Sequence, residues 1–190
     1  ADEVYKQSLP ENAFILDCGS HIGMSIVYLK RICPTAEIIG FEPDKKNFEL
    51  LSHNINSFDL DKVTLVNKAV WNQNTTLNFA SEGDMTSRII EDGKSENPVE
   101  ACRLFDYLDR KVDFLKMDIE GAEYEVVKDL EPRMDKIHRM FIEYHGLFNQ
   151  NTELLEILHI LNRNNFNFYI KEAGPVYPHP FTGIRNNSIY

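Results

Sequence analysis

The sequence predicts an α/β protein built on a doubly wound, mostly parallel sheet. Short apolar, β-branched runs alternate with longer stretches whose apolar residues recur at three- and four-residue steps. Loops carrying acids and glycines follow the apolar runs, as at the carboxyl edge of such a sheet. The 190 residues suffice for one domain that buries roughly 70% of its unfolded surface.

"AFILD" (Ala13–Asp17) reads as a buried strand, and "HIGMSIVYLKRI" as a helix with Ile22, Ile26, Leu29 and Ile32 on one face. "AEIIGFE" (Ala36–Glu42) is the second strand. Asp44 then caps a helix whose Phe48, Leu51 and Ile55 face the core. "KVTLVNKAV" makes a third strand, and "TTLNFA" with "VEACRLF" a hairpin. Between these two lies a polar insertion, about residues 80–98, whose length and composition fit equally a lid, with Ser87 and Arg88 closing on a ligand, and a disordered connector. "VDFLKMD" (Val112–Asp118), a helix from about Gly121 to Leu130, and "KIHRMFIEYH" restore the alternation. "LLEILHILNR" is the last helix, and "FNFYIK" and "GIRNNSIY" are strands joined by "AGPVYPHP". The sum is a Rossmann-like, seven-stranded sheet with an added hairpin and an antiparallel C-terminal strand, in one domain over 1–190.

A formal charge of -10 without a Lys/Arg cluster disfavours nucleic acid as a partner. No apolar run has the length of a membrane span, and the first residues lack the basic and apolar parts of a signal peptide. A cytoplasmic location is the expectation. Cys18, Cys33 and Cys102, without metal or CxxC spacing, read as buried thiols.

"ILDCGSHIG" (Ile15–Gly23) occupies the first strand-to-helix loop. A dinucleotide fingerprint needs G-x-G-x-x-G to bring backbone amides onto a pyrophosphate. Here His21 stands at the second glycine position, and Asp17 sets a negative charge before the loop. Both suit S-adenosylmethionine, which carries a sulfonium and an ammonium and no phosphate, with Gly19, Ser20, His21 and Gly23 lining it. Glu42, followed by Pro43, ends the second strand where an acid accepts hydrogen bonds from ribose hydroxyls, a contact NAD needs equally. An NAD(P)-dependent oxidoreductase and a nucleoside-binding module without turnover remain alternatives.

The blocks "FILDCGSHIGMSIVYLK", "IIGFEPDKKNFELLSHNI", "LVNKAVWNQNTTLNF", "FLKMDIEGAEYEVVKDL" and "FIEYHG", in this order, resemble the FkbM-type branch of the class I S-adenosylmethionine-dependent methyltransferases over about Phe14–Gly146. The resemblance implies O-methylation of a hydroxyl on a sugar, polysaccharide or polyketide-like acceptor, a small molecule or glycan. It implies that Asp17, Gly19 and Gly23 line the methionine side, Glu42 the ribose, and Lys68, Ala69 and Val70 the adenine. His21 departs from the pattern, since many relatives carry Asn there.

Asp118 and Glu120 are two apart at one strand end, as are Glu143 and His145 at the next, so each pair projects to one side. His145 is the natural base for the acceptor's proton, with Glu143 placed to orient it or to share the work. The same groups also fit an acceptor pocket held by hydrogen bonds, and a divalent metal is compatible with them without being favoured. Asp118 is expected to face the methionine moiety and Glu120 the donor or acceptor. Glu123 and Glu125 read as first-turn helix charges, and Lys116, of the same parity as Asp118, as the partner of an acid.

Overall fold

The computed structural model describes residues 8–78, 98–145 and 151–171. Its strands are β1 (Phe14–Cys18), β2 (Glu37–Phe41), β3 (Val63–Val66), β4 (Ala69–Trp71), β5 (Thr75–Asn78), β6 (Pro98–Arg103), β7 (Phe114–Met117) and β8 (Met140–Ile142). Among the described residues, the α-helices that accompany them are α1 (Met24–Ile32), α2 (Lys45–Ser57), α3 (Glu123–Leu130) and α4 (Asn151–Arg163).

Five of these strands form a wholly parallel sheet in the order β3-β2-β1-β7-β8. The chain winds outward from β1 through β2 to β3, then returns to β1's other side for β7. The reversal leaves a crevice at the carboxyl ends of β1 and β7, where such sheets bind ligands. The fold class is therefore as the sequence predicts, and the described residues supply five strands of its main sheet. Among the described residues, the expected third strand is two. Lys68 N–H donates to the Val66 carbonyl at 3.0 Å, a tight turn that ends β3 and sends β4 into a second sheet, β4-β6-β5. The hairpin forms as β5 antiparallel to β6. "FNFYIK" does not take a strand conformation, and Tyr169 within it is 87% exposed. The Pro-rich turn, the last strand and the insertion, apart from Pro98, lie outside the described residues.

Period-2 alternation divides the core between the two faces. Ala13, Ile15, Ile38 and Phe114 pack with Ile26 and Leu29 of α1 and Leu51 and Ile55 of α2. Leu16, Cys18, Phe41, Leu115 and Met117 pack with α3, α4 and the small sheet. Asp44 caps α2 by accepting from Asn47 N–H at 2.8 Å. The α1 core face is shorter than its pattern suggests: Ile22 precedes the helix and Ile32, in its last turn, is 38% exposed. Lys30 is buried instead, its ammonium donating to the Ala36 and Pro34 carbonyls at 2.7 and 2.9 Å and closing the helix end. All three cysteines are buried and free. No helix among the described residues is long and apolar enough to cross a membrane.

Candidate active site

Parity on β1 sets Asp17 beside Ile15 on the α1 face, so its carboxylate is fully buried beneath the first loop. Its Oδ2 accepts from Ser25 Oγ at 2.6 Å, and its Oδ1 faces the Lys116 ammonium at 3.4 Å. Lys116, paired in register with Asp17 across the sheet, also lies 3.4 Å from Asp118 Oδ2 and donates to the Gly19 carbonyl at 2.7 Å. The expected acid partner of Lys116 is thus two acids.

The loop itself is tied at every step. Gly19 and Ser20 N–H both donate to the Phe41 carbonyl, at 3.0 and 2.8 Å, and buried Ser20 Oγ donates to the Asp17 carbonyl. Gly19 has φ +82°, and a Cβ there would stand 1.8 Å from the Asp118 carbonyl oxygen. Gly23, at φ +91°, would collide with Leu51 Cδ1 at 2.7 Å. Both glycines therefore have an internal reason: the loop lies directly on β7's end and on α2. His21 adopts φ 48°, the left-handed conformation that the missing glycine would have supplied and that His tolerates better than most residues.

Glu42 is 6% exposed and holds two loops at once, Oε2 accepting from His21 N–H at 2.8 Å and Oε1 from Asp44 N–H at 2.9 Å. Burial raises its pKa, and the two amides oppose that rise. Each oxygen keeps a second lone pair for a hydroxyl donor. Beside it, Asn67 donates to the Glu42 carbonyl at 2.8 Å and the Pro43 carbonyl at 3.2 Å, joining the end of β2 to the β3–β4 turn. Lys68 pairs with Glu100 at 3.1 Å, while Ala69 and Val70 are buried in the small sheet, so backbone is what these three offer a ligand.

At the end of β7, Glu120 (φ 57°) and Gly121 (φ 104°) make a left-handed turn into α3. No side chain caps α3, whose preceding residue is Ala122. Glu123, with no exposed surface, reaches back to Gly121 N–H at 3.1 Å and Ile119 N–H at 3.2 Å, and the same carboxylate contacts His145 Nδ1 at 3.1 Å. Burial pushes Glu123 up, but the hydrogen bonds from His145 and the backbone leave it below the usual carboxylate range. His145 Nε2 then faces Asp118 and Glu120 at 3.7 Å each and Glu143 at 4.0 Å. The Glu123 hydrogen bond, opposed by burial and reinforced by the surrounding carboxylate charges, raises His145 to about 9. Burial, together with its acidic neighbours and against His145, raises Glu120.

The structure thus brings Asp118, Glu120, Glu143 and His145 together, but Glu123 orients the imidazole where Glu143 was expected to. The available signal was Ala122, which cannot cap a helix and leaves amides needing a nearby acid. Sequence gave no means of choosing among Glu120, Glu123 and Glu125 for that place. Asp118, Glu120 and His145 each offer one atom within 4.8 Å of the others and by ligand type suit a divalent ion.

The family model described as "Methyltransferase FkbM domain" matches residues 17–168. Methyltransferase 1 of Beauveria bassiana is 26% identical over 162 residues, covering 70% of this chain, which spans 65% of that protein. Methyltransferase sdnD of Sordaria araneosa is 28% identical over 191 residues, covering 78% of this chain and 74% of its own. The crystal structure of a methyltransferase FkbM from Methylobacillus flagellatus shares the fold with a TM-score of 0.61 at 19% identity, covering 85% of this chain and 39% of that one.

Proposed function

The chain belongs to the FkbM methyltransferase family, and from that premise we propose that it transfers a methyl group from S-adenosylmethionine to an acceptor hydroxyl on a sugar, polysaccharide or polyketide-like molecule. One observation carries the reading: the crevice where the sheet order reverses is lined by carboxylates around the imidazole of His145, with Glu42 anchoring the neighbouring loop. That donor set repels a pyrophosphate and fits a sulfonium nucleoside. Glu42 would hold the ribose, the Gly19–Gly23 loop and Asp118 the methionine part, and the Lys68–Val70 backbone the adenine. When bound, the donor supplies an electrophilic methyl group.

The protein's own contribution is alignment, worth roughly 7 to 11 kcal/mol at its best, and removal of the hydroxyl proton. His145 takes that proton at Nε2 in its neutral form, Glu123 holding Nδ1–H and stabilising the imidazolium that results. Glu143 and Glu120 flank the acceptor.

Titration calorimetry on the whole chain tests the donor. S-adenosylmethionine and S-adenosylhomocysteine are expected to bind and NADH not to; the reverse selectivity would remove the reading. Glu42→Gln is expected to weaken S-adenosylhomocysteine roughly ten- to a hundredfold, the range of one or two hydrogen bonds to a charged group at about 1.5 kcal/mol or more. The charged imidazole supplies positive charge among Asp118, Glu120 and Glu143 without an ion. EDTA is therefore expected to leave the transfer rate unchanged, and a loss reversed by Mn²⁺ would reassign these groups to a metal.

A further inference from the structure

A buried ammonium in the middle of a parallel strand is costly unless it is paired, and replacing such a pair with apolar residues is often neutral or stabilising. Lys116 is 2% exposed within β7, where its neighbours Phe114, Leu115 and Met117 are core residues. The expense coincides with a particular arrangement. The Nζ meets two carboxylates at 3.4 Å, one sealed in the core (Asp17) and one partly open to the crevice (Asp118), and it donates to the carbonyl of Gly19 at 2.7 Å. That carbonyl begins the loop between β1 and α1. Further along, the Ser20 carbonyl accepts from Gly23 N–H at 2.7 Å and the Ile22 carbonyl from Asn54 Nδ2 at 2.8 Å. These bonds tie the loop to itself and to α2; Lys116 ties it to β7, the strand that leads directly into Asp118.

We infer that Lys116 is the positioning residue of the donor site, fixing the Gly19–Gly23 loop against the end of β7 and consuming the charge of Asp17, so that Asp118 is the carboxylate of this trio that meets the donor. The inference rests on the donor reading above. It separates two acids that sequence treats alike: Asp17 acts beneath the loop, through Lys116, and Asp118 on its surface. The chemistry that Asp118 then offers is recognition of the ammonium of an amino-acid moiety, a charge-assisted contact at a partly desolvated carboxylate.

Lys116→Met alone leaves Asp17 buried without its counter-ion and is prone to unfold. The informative variant is Lys116→Met with Asp17→Asn, compared with Asp17→Asn alone, in which the bond to Gly19 persists. S-adenosylhomocysteine affinity is read by calorimetry, folding by Tm, and loop order by hydrogen exchange at residues 19–23. The double variant is expected to keep a cooperative transition, lose tenfold or more in affinity, and exchange its loop amides faster. Its donor KM should rise with kcat at saturating donor within about threefold. Asp17→Asn alone should lose less than threefold in affinity. Wild-type affinity in the double variant overturns the inference, as does an equal loss in Asp17→Asn, which would make Asp17 itself the contact. Failure of the double variant to fold also overturns it, since the role is then structural. Failure of the wild-type chain to bind the sulfur nucleoside sinks the donor reading instead, with the loop-exchange comparison still telling whether Lys116 orders the loop.

Discussion

Gly19→Ala is expected to abolish measurable donor binding and to lower Tm substantially. The new Cβ would stand 1.8 Å from a backbone oxygen, that of Asp118, so no side-chain rotation relieves the clash. Separating the strand ends would stretch the Asp118 N–H to Cys18 carbonyl bond of 3.1 Å and pull Gly19 away from Lys116. Overpacking typically costs about 1–3 kcal/mol and a left-handed non-glycine residue about 1–2 kcal/mol more. At this chain length each kcal/mol lowers Tm by roughly 2–4 °C. Gly121→Ala is the control: φ is +104°, but among the described residues the nearest atom to its Cβ, the His145 carbonyl oxygen, is 3.9 Å away, so the backbone strain is the cost expected there. Equal losses at the two positions, by thermal melting and S-adenosylhomocysteine titration, would show that the crowding of β1 against β7 is not what demands glycine.

His145→Ala is expected to lower kcat by roughly 10²- to 10⁴-fold, the usual contribution of a positioned base, while donor affinity stays within about threefold. The wild-type rate should climb with pH and level off above about 9, because the base must be neutral and its pKa is raised to about 9 by the Glu123 hydrogen bond first and then by the charges of Glu123, Glu120 and Asp118. Glu123→Gln removes the principal cause, so the rise should move toward the ordinary histidine range near 6.5. Glu143→Gln, whose oxygen stands 4.0 Å from Nε2, should shift it little. A pH profile identical in wild type and His145→Ala would take the base role from His145. The same shift has a stability consequence with a definite sign. The folded state holds this proton more tightly than the unfolded chain, so the contribution is full below about 6.5 and is lost as pH rises through about 9.

Much of the architecture was legible because it rests on periodicity, which is local. Ile26, Leu29, Leu51 and Ile55 fall on buried helix faces as their spacing demands, and Asp44 caps α2. The break at Asn67 was not legible: "KVTLVNKAV" has no glycine or proline, and its turn is held by Asn67 reaching the carbonyl of Pro43, 24 residues earlier in sequence and just past the end of β2. The exposed "FNFYIK" is the converse case, since an apolar, β-prone run becomes a strand only where a sheet edge stands beside it.

The sequence by itself determined which groups could do chemistry and at which sheet edge they gather, because motif order and strand parity are properties of the chain. It placed Asp17, Glu42, Asp118, Glu120, Glu143 and His145 at strand ends, and the structure finds them there. Only the tertiary structure decided which of them are buried and what each one faces. Asp17 is sealed under α1 with Lys116, and Glu123 is drawn from a helix's first turn into full burial behind His145. The reason is physical: charge pairing and desolvation depend on distances across the sheet, between residues about a hundred positions apart for Gly19 and Lys116, separated by 97, and no local pattern encodes them.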